Sequence, residues 1–309
     1  MDMTFHTDVL GLGAVAVDDL VYINAYPPAN YKVVIQSRER HNGGLTATAL
    51  VAARRLGVSC AYAGMLGDDE LSRFSIANLR SSGIDLTYLK IAAEARPVYA
   101  MIVVDKAGQR NIFVDLDCLT GAAADWPPED VIRSSRVLFV DHLGLPGMIR
   151  AARIARAAGI PIVADIEIDS PLFLDLLHEV DHLILSWEFV HAYTGENTPQ
   201  AACRALWSPE RAVVVVTCGA EGCWYIDGES IQQPRRQKAF AVNAVDTTGC
   251  GDVFHGAYAA GLVRGQTLPE RIRFASAAAA LKALQHGGQP GAPTLPALEK
   301  YLQEYQEPV

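Results

Sequence analysis

The chain has 309 residues, long enough to bury a large core and to form one elaborated α/β domain over residues 1–309. Its formal net charge of −9 argues against nucleic acid or a membrane surface as the main partner, so an anionic ligand would have to meet local positive charge. No apolar run reaches the ~18 residues of a spanning helix, residues 1–9 have neither the basic start nor the apolar core of a secretory leader, and the six scattered cysteines include no C-x-x-C pair. The expectation is a cytoplasmic protein with free thiols.

In chain order, residues 9–17 read as an apolar, Gly-punctuated strand, and residues 20–26 with 31–39 alternate like a half-exposed hairpin around Pro27-Pro28. Residues 45–56 turn helical and 60–65 read as a buried strand. Residues 69–82 read as a helix stopped by Gly83. Residues 86–90, 98–104 and 109–115 are strands again, the last two joined by the turn Lys106-Ala107-Gly108. From about residue 136 short apolar strands (137–141, 161–165, 182–185, 213–217) alternate with helices (148–158, 172–179, 187–194), the rhythm of crossover units on a parallel sheet covered on both faces. A hairpin near 222–231 and helices over 251–264, 269–285 and 295–305 complete the chain. The fold class is therefore α/β, a three-layer sandwich with a mostly parallel central sheet. The early strands, within about 17–40 and 86–116, are too polar on one face for its centre and are expected to form a small separate lid sheet. Such a lid closes over a substrate and excludes water.

Several motifs compete for the chemistry. Gly11-x-Gly13-x-x-Ala16 follows a strand as a dinucleotide fingerprint does, but the residues after it continue as strand where that motif needs a helix to receive the pyrophosphate. His178-Glu179-Val180-Asp181-His182 matches H-E-x-x-H, which binds zinc only when one helix carries both imidazoles; here a helix ends near Glu179 and His182 opens a strand. No Gly-Lys pair exists, so there is no P-loop. The stretch Asp246-Thr247-Thr248-Gly249-Cys250-Gly251-Asp252 is different. It reads as a glycine turn opening a helix, with one carboxylate at its entrance and another at its mouth. A helix start leaves N–H groups unpaired at its positive end, a natural place for a phosphoryl group. Asp252 beside it can take a proton from a hydroxyl while Gly249, Cys250 and Gly251 hold the developing charge. The plainer reading is a helix cap and a tight turn. Two further glycine turns, Asn42-Gly43-Gly44 before a helix of small residues and Thr217-Cys218-Gly219-Ala220-Glu221-Gly222 after a buried strand, read either as close backbone approach to ligands or as ordinary packing and hairpin entry.

Together these motifs resemble the ribokinase-like (PfkB) family of sugar and nucleoside kinases over nearly the whole chain: Gly43-Gly44 through Leu56-Gly57 is similar to its first signature and Asp246 through Phe254 to its second. The resemblance implies a kinase that transfers the γ-phosphate of Mg-ATP to an alcohol of a sugar, with Asp252 as base and Gly249, Cys250 and Gly251 as anion hole. It places Asp18, Lys32, Gly43, Gly44, Asn111 and Asp115 on the sugar, and Thr217, Gly219, Gly222 and Gly287 around ATP. Asp246, Thr248 and Gly287 would hold a monovalent cation such as K+, and two copies would join through the lid. The family's N-x-x-E motif, which helps to organise Mg2+, aligns with Ser186-Trp187-Glu188-Phe189, leaving Glu188 as the substitute. This altered segment, the two signatures and Lys32 are most similar to the sulfofructose kinase subgroup. A nucleoside kinase, or a sugar- or nucleotide-binding sensor that has lost its magnesium chemistry, is the alternative. Two further expectations follow from the helix start: its dipoles keep Asp252 ionised, and Cys250 is a reactive thiol of lowered pKa.

Overall fold

The computed structural model describes residues 7–305; residues 1–6 of the segment read for a leader lie outside them. Eight strands form the central sheet, in the order Arg235–Gln237, Cys223–Ile226, Val213–Thr217, His182–Ser186, Ile162–Asp165, Ser135–Val140, Thr7–Gly11, Cys60–Tyr62. All pair in parallel except the two at the C-terminal edge, which are antiparallel. The strands are continuous apolar runs because both faces are covered. Along Ser135–Val140, Val137 and Phe139 face one core, with helices Leu45–Arg55, Cys250–Val263 and Leu268–Ala283, while Leu138 and Val140 face the other, with Leu145–Ala157, Phe173–Glu179 and Pro199–Ala205. That is the expected three-layer sandwich.

The lid is a four-stranded sheet, Ser37–Gly43, Ala16–Tyr22, Val98–Val104 and Arg110–Asp115 in that order. Two expectations about its strands change. Residues 9–17 are not one strand: Thr7–Gly11 ends in the central sheet, Gly13 passes so close to Asp141 that a Cβ would meet Oδ2 at 1.9 Å, and Ala16–Tyr22 begins the lid. Residues 86–90 are not a lid strand; only Lys90–Ile91 is extended, paired with Met65–Leu66. The hairpin partner starts later than read, at Ser37, because residues 31–36 run as exposed coil. The lid's root is pinned by Asp141, whose buried carboxylate accepts from Ala14 N at 2.6 Å, Thr46 Oγ1 at 2.7 Å and Leu143 N at 2.9 Å. Buried acceptors this well matched fix the angle at which the lid leaves the sheet.

The helix carrying the second signature packs tightly on the helix carrying the first, and Gly256 allows it: a Cβ there would lie 2.2 Å from Ala49 O. Both helices thereby start at the same edge of the sheet. The two histidines of H-E-x-x-H part as expected, His178 on helix Phe173–Glu179 and His182 in the next strand, with His182 Nδ1 2.9 Å from Tyr258 Oη. No cluster of three His, Cys, Asp or Glu side chains suited to a metal exists among the described residues, and none of their helices is long and apolar enough to cross a membrane.

Candidate active site

The loop from Asp246 to Gly249 sets up the site. Asp246 turns its carboxylate back on the chain, accepting from Thr248 N at 2.9 Å and reaching across to Gly287 N at 2.8 Å. This short-range acceptor is what aspartate supplies to a turn. Gly249 then caps helix Cys250–Val263 at φ 75°, and a Cβ there would be 2.7 Å from Gly288 Cα, so a glycine is required for the two loops to meet. No side chain caps this helix. Cys250 N is engaged by Thr247 O at 3.2 Å, whereas the N–H groups of Gly249, Gly251 and Asp252 have no acceptor among the described residues. The free N–H groups thus differ from the expected trio, with Cys250 N–H occupied and Asp252 N–H free.

Two cavities meet at this helix start. One, of about 390 Å³, runs from Thr217, Gly219 and Gly222 past Phe240 and the alanine face of helix Leu268–Ala283 to Cys250 and Gly251. The other, of about 780 Å³, lies under the lid, between Asp18, Gly43 and Gly44 on one side and Gly249, Asp252 and Gly287 on the other. Ala244 and Thr247 line both, so the unfilled N–H groups stand at the junction. Asp18 lies hard against Gly43, where a Cβ would be 2.8 Å from Asp18 Oδ2. Asn42 faces the same cavity with its buried Oδ1 unpaired. Gly287 departs from expectation, lining the lid-side cavity and not the one that holds Thr217, Gly219 and Gly222.

The pfkB carbohydrate kinase family model matches residues 12–295. The chain belongs to the pfkB family of carbohydrate kinases. It is 27% identical over 301 residues to a ribokinase of Staphylococcus aureus, covering 93% of this chain and 97% of that one. It is 28% identical over 280 residues to fructokinase-1 of Zea mays, covering 82% and 85%. The fold is that of an Arabidopsis thaliana ribokinase solved with ribose and ATP, at TM-score 0.84, 23% identity and coverage of 97% and 99%.

Within this pfkB fold several expected residues stand apart from the cavities. Asn111 and Asp115 alternate with Arg110 along the last lid strand, so they point to its outer face, where Asp115 pairs with Arg96 at 3.2 Å. Lys32 is exposed in the coil before Ser37. Glu188 is exposed in the first turn of helix Trp187–Thr194, which Ser186 caps by accepting from Phe189 N at 3.3 Å, and it lines neither cavity. In their place the lid presents His41, Glu39 and Arg110, the last donating from Nη1 to Thr248 Oγ1 at 3.1 Å, and the C-terminal turn presents His286. A period-two pattern could have separated Arg110 from Asn111, but only strand pairing says which face turns inward.

The electrostatics reverse two further expectations. Asp252 is not held ionised: burial raises its pKa well above the carboxylate range, Asp165, Glu167 and Asp141 raise it further, and His255 works against them. His255 puts Nδ1 2.8 Å from Gly251 O, Nε2 3.0 Å from Ile184 O, and Nδ1 3.3 Å from Asp165 Oδ2. Cys250 is no reactive thiol. Burial pushes it up to about 11, against the pull of Lys282, and Sγ donates to Ala279 O at 3.5 Å. The helix-start effect is overridden because the half-buried side chain lies against the alanine face, where desolvation of the thiolate outweighs the dipole. Asp18 is likewise raised by burial, with His41 opposing and Asp19 adding.

Proposed function

We propose that the protein is an ATP-dependent kinase that transfers the γ-phosphate to a hydroxyl of a sugar or sugar derivative, with a ketose favoured. One observation carries this reading: two cavities meet at an uncapped helix start, and a carboxyl of raised pKa stands on the lid side only. The narrower cavity, apolar along helix Leu268–Ala283 with glycine turns at its far end, suits a nucleotide whose phosphates lead to Gly251. The lid-side cavity suits a polyol, since Asp18, the unpaired Asn42 Oδ1 and the bare backbone at Gly43 and Gly44 offer acceptors and close approach to hydroxyl groups.

In this mechanism Asp252 accepts the proton of the acceptor hydroxyl as its oxygen meets the phosphoryl group, and the N–H groups of Gly249, Gly251 and Asp252 hold the charge on the transferring oxygens. The transition state is loose, so positioning and electrostatics supply most of the rate. The raised pKa makes Asp252 a stronger base than an ordinary carboxylate once it is ionised. Mg2+ needs only one or two carboxylates besides phosphate oxygens and water. Asp165 and Glu167 lie near enough to Asp252 to raise its pKa but, like Glu188, line neither cavity, so Asp252 is the carboxylate at the helix start that would offer the ion a hard oxygen donor. When bound, the ion neutralises phosphate charge. The lid excludes water, and Arg110 links it to the anion loop.

The sulfofructose kinase pattern would ask for cations on the acceptor. The fixed cation facing the lid-side cavity is Arg110, with the imidazoles of His41 and His286 beside it, and not Lys32. A homodimer through the lid, as the resemblance implies, would cover the exposed Met101 and Phe113 on the outer face. The test is ADP release across a panel of ketoses, aldoses, polyols, sugar sulfonates and nucleosides. Turnover with a ketose supports the proposal. Tight sugar binding with no ADP from any acceptor overturns it in favour of the sensor, the reading that exposed Glu188 favours.

A further inference from the structure

Lys282 is fully buried at the end of the alanine-rich helix Leu268–Ala283. Lysine is almost never placed so unless something meets its charge. Here Nζ donates to Asp246 O at 2.7 Å and stands 3.5 Å from Asp246 Oδ2. The remaining reach of that carboxylate is taken by Thr248 N and Gly287 N, while Val245 N and Asp246 N donate to Ala283 O at 2.7 and 3.2 Å. The lysine stem is fixed as well: a Cβ on Gly291 would lie 3.2 Å from Lys282 Cε. The ammonium also sits in the last turn of its helix, where the unpaired carbonyls favour a positive charge. One buried cation therefore joins three segments: the loop that leads into Gly249, the helix behind it and the turn at Gly287.

Asp246, Thr248 and Gly287 are the residues at which the family resemblance expects a monovalent cation. They do not fit one in this chain. The Asp246 oxygens already face a fixed ammonium and two N–H donors, and a second cation beside Nζ would meet like charge at short range. We propose that the Lys282 ammonium is a tethered cation that takes the place of a free monovalent ion, positioning the anion-hole loop and making this kinase indifferent to potassium. The proposal rests on the reading of Gly249 to Asp252 as the phosphate site. Lys282 is a positioning residue, acting through Asp246 and not on the substrate.

The test compares KCl, NaCl and tetramethylammonium chloride at equal ionic strength, with two readouts on the full chain: affinity for Mg-ATP by titration calorimetry, and turnover with the best acceptor. The wild type is expected to give the same affinity and turnover in all three salts. Lys282→Met, which keeps the length of the stem and removes the charge, should lose about tenfold or more in Mg-ATP affinity or kcat, the loss of one buried charged partner. Lys282→Ala should regain part of it in KCl or NH4Cl but not in tetramethylammonium. Potassium activation of the wild type, or Lys282→Met that matches wild type in tetramethylammonium, overturns the proposal. The wild-type comparison needs no variant to fold. Salt-indifferent binding of Mg-ATP without turnover on any sugar would sink the kinase reading while leaving the tethered cation standing.

Discussion

Asp252→Asn should change activity and stability in opposite directions. The substitution keeps the shape and hydrogen-bonding reach of the side chain and removes its basicity. Loss of a general base costs about 10²- to 10⁴-fold in kcat, which is about 3–5 kcal/mol of transition-state stabilisation at roughly 1.4 kcal/mol per decade. Stability runs the other way. Burial first, and then Asp165, Glu167 and Asp141, raise the Asp252 pKa in the folded protein, with only His255 opposing. A group whose folded pKa lies above its unfolded value contributes stability that is fully present below the unfolded pKa and lost as pH rises through the folded one. At pH 8 the wild type has therefore lost a contribution that it has in full at pH 4, whereas the asparagine variant has no such group to titrate. Thermal melts from pH 4 to 9 should show the variant with the higher Tm at pH 8 and the difference closing toward pH 4. ADP release measured over the same range should show the wild-type acid limb displaced above the ordinary carboxylate range. A variant that melts lower than wild type at pH 8, or that turns over at a near-wild-type rate, would refute the assignment of Asp252 as a buried base.

Other consequences can be measured on the same material. Gly249→Ala must place a Cβ at φ 75°, 2.7 Å from Gly288 Cα. Forcing the loops apart should misalign the free N–H groups and lower kcat by about 10²-fold or more, the effect of losing one oxyanion donor, with sugar affinity retained; an intact kcat would show that these groups do not hold the phosphoryl charge. Arg110→Ala removes the link from lid to Thr248 and should raise the acceptor KM while shifting stability by less than about 1 kcal/mol, as for an exposed contact; a large fall in Tm would mark it as structural instead. Cys250, with its thiol pushed up to about 11, should react with iodoacetamide slowly at pH 8 and faster as pH rises, and rapid labelling at pH 7 would contradict its burial. Phe139→Ala, which empties a fully buried site whose ring meets His255 edge-on at 6.3 Å, should cost about 3–5 kcal/mol in urea unfolding.

The chain by itself determined most of the helices and parallel strands, because those signals are local. Val213–Thr217 and Trp187–Thr194 fall where periodicity puts them, and Asp246 to Asp252 announces an anion-binding helix start through residues adjacent in sequence. The same local logic rejected the zinc reading, since a helix cannot continue through His182. Tertiary structure decided what depends on which groups meet. Arg110 and not Asn111 turns to the cavity because the lid strand pairs in one register with Val98–Val104. Glu188 is left on the surface because its helix docks on the face away from the lid-side cavity. The pKa of Asp252 and of Cys250 is raised where the sequence points to a lowered one, because the sequence reading counts the helix dipole alone. Asp165 and Glu167 come to Asp252 from the end of one strand and Asp141 from the end of its neighbour, and the alanine face of helix Leu268–Ala283 packs against Cys250. Nor could a lysine 36 residues beyond Asp246 have been read as its partner. Charge and burial at a site are sums over everything that packs there, and only the folded chain brings those contributions together.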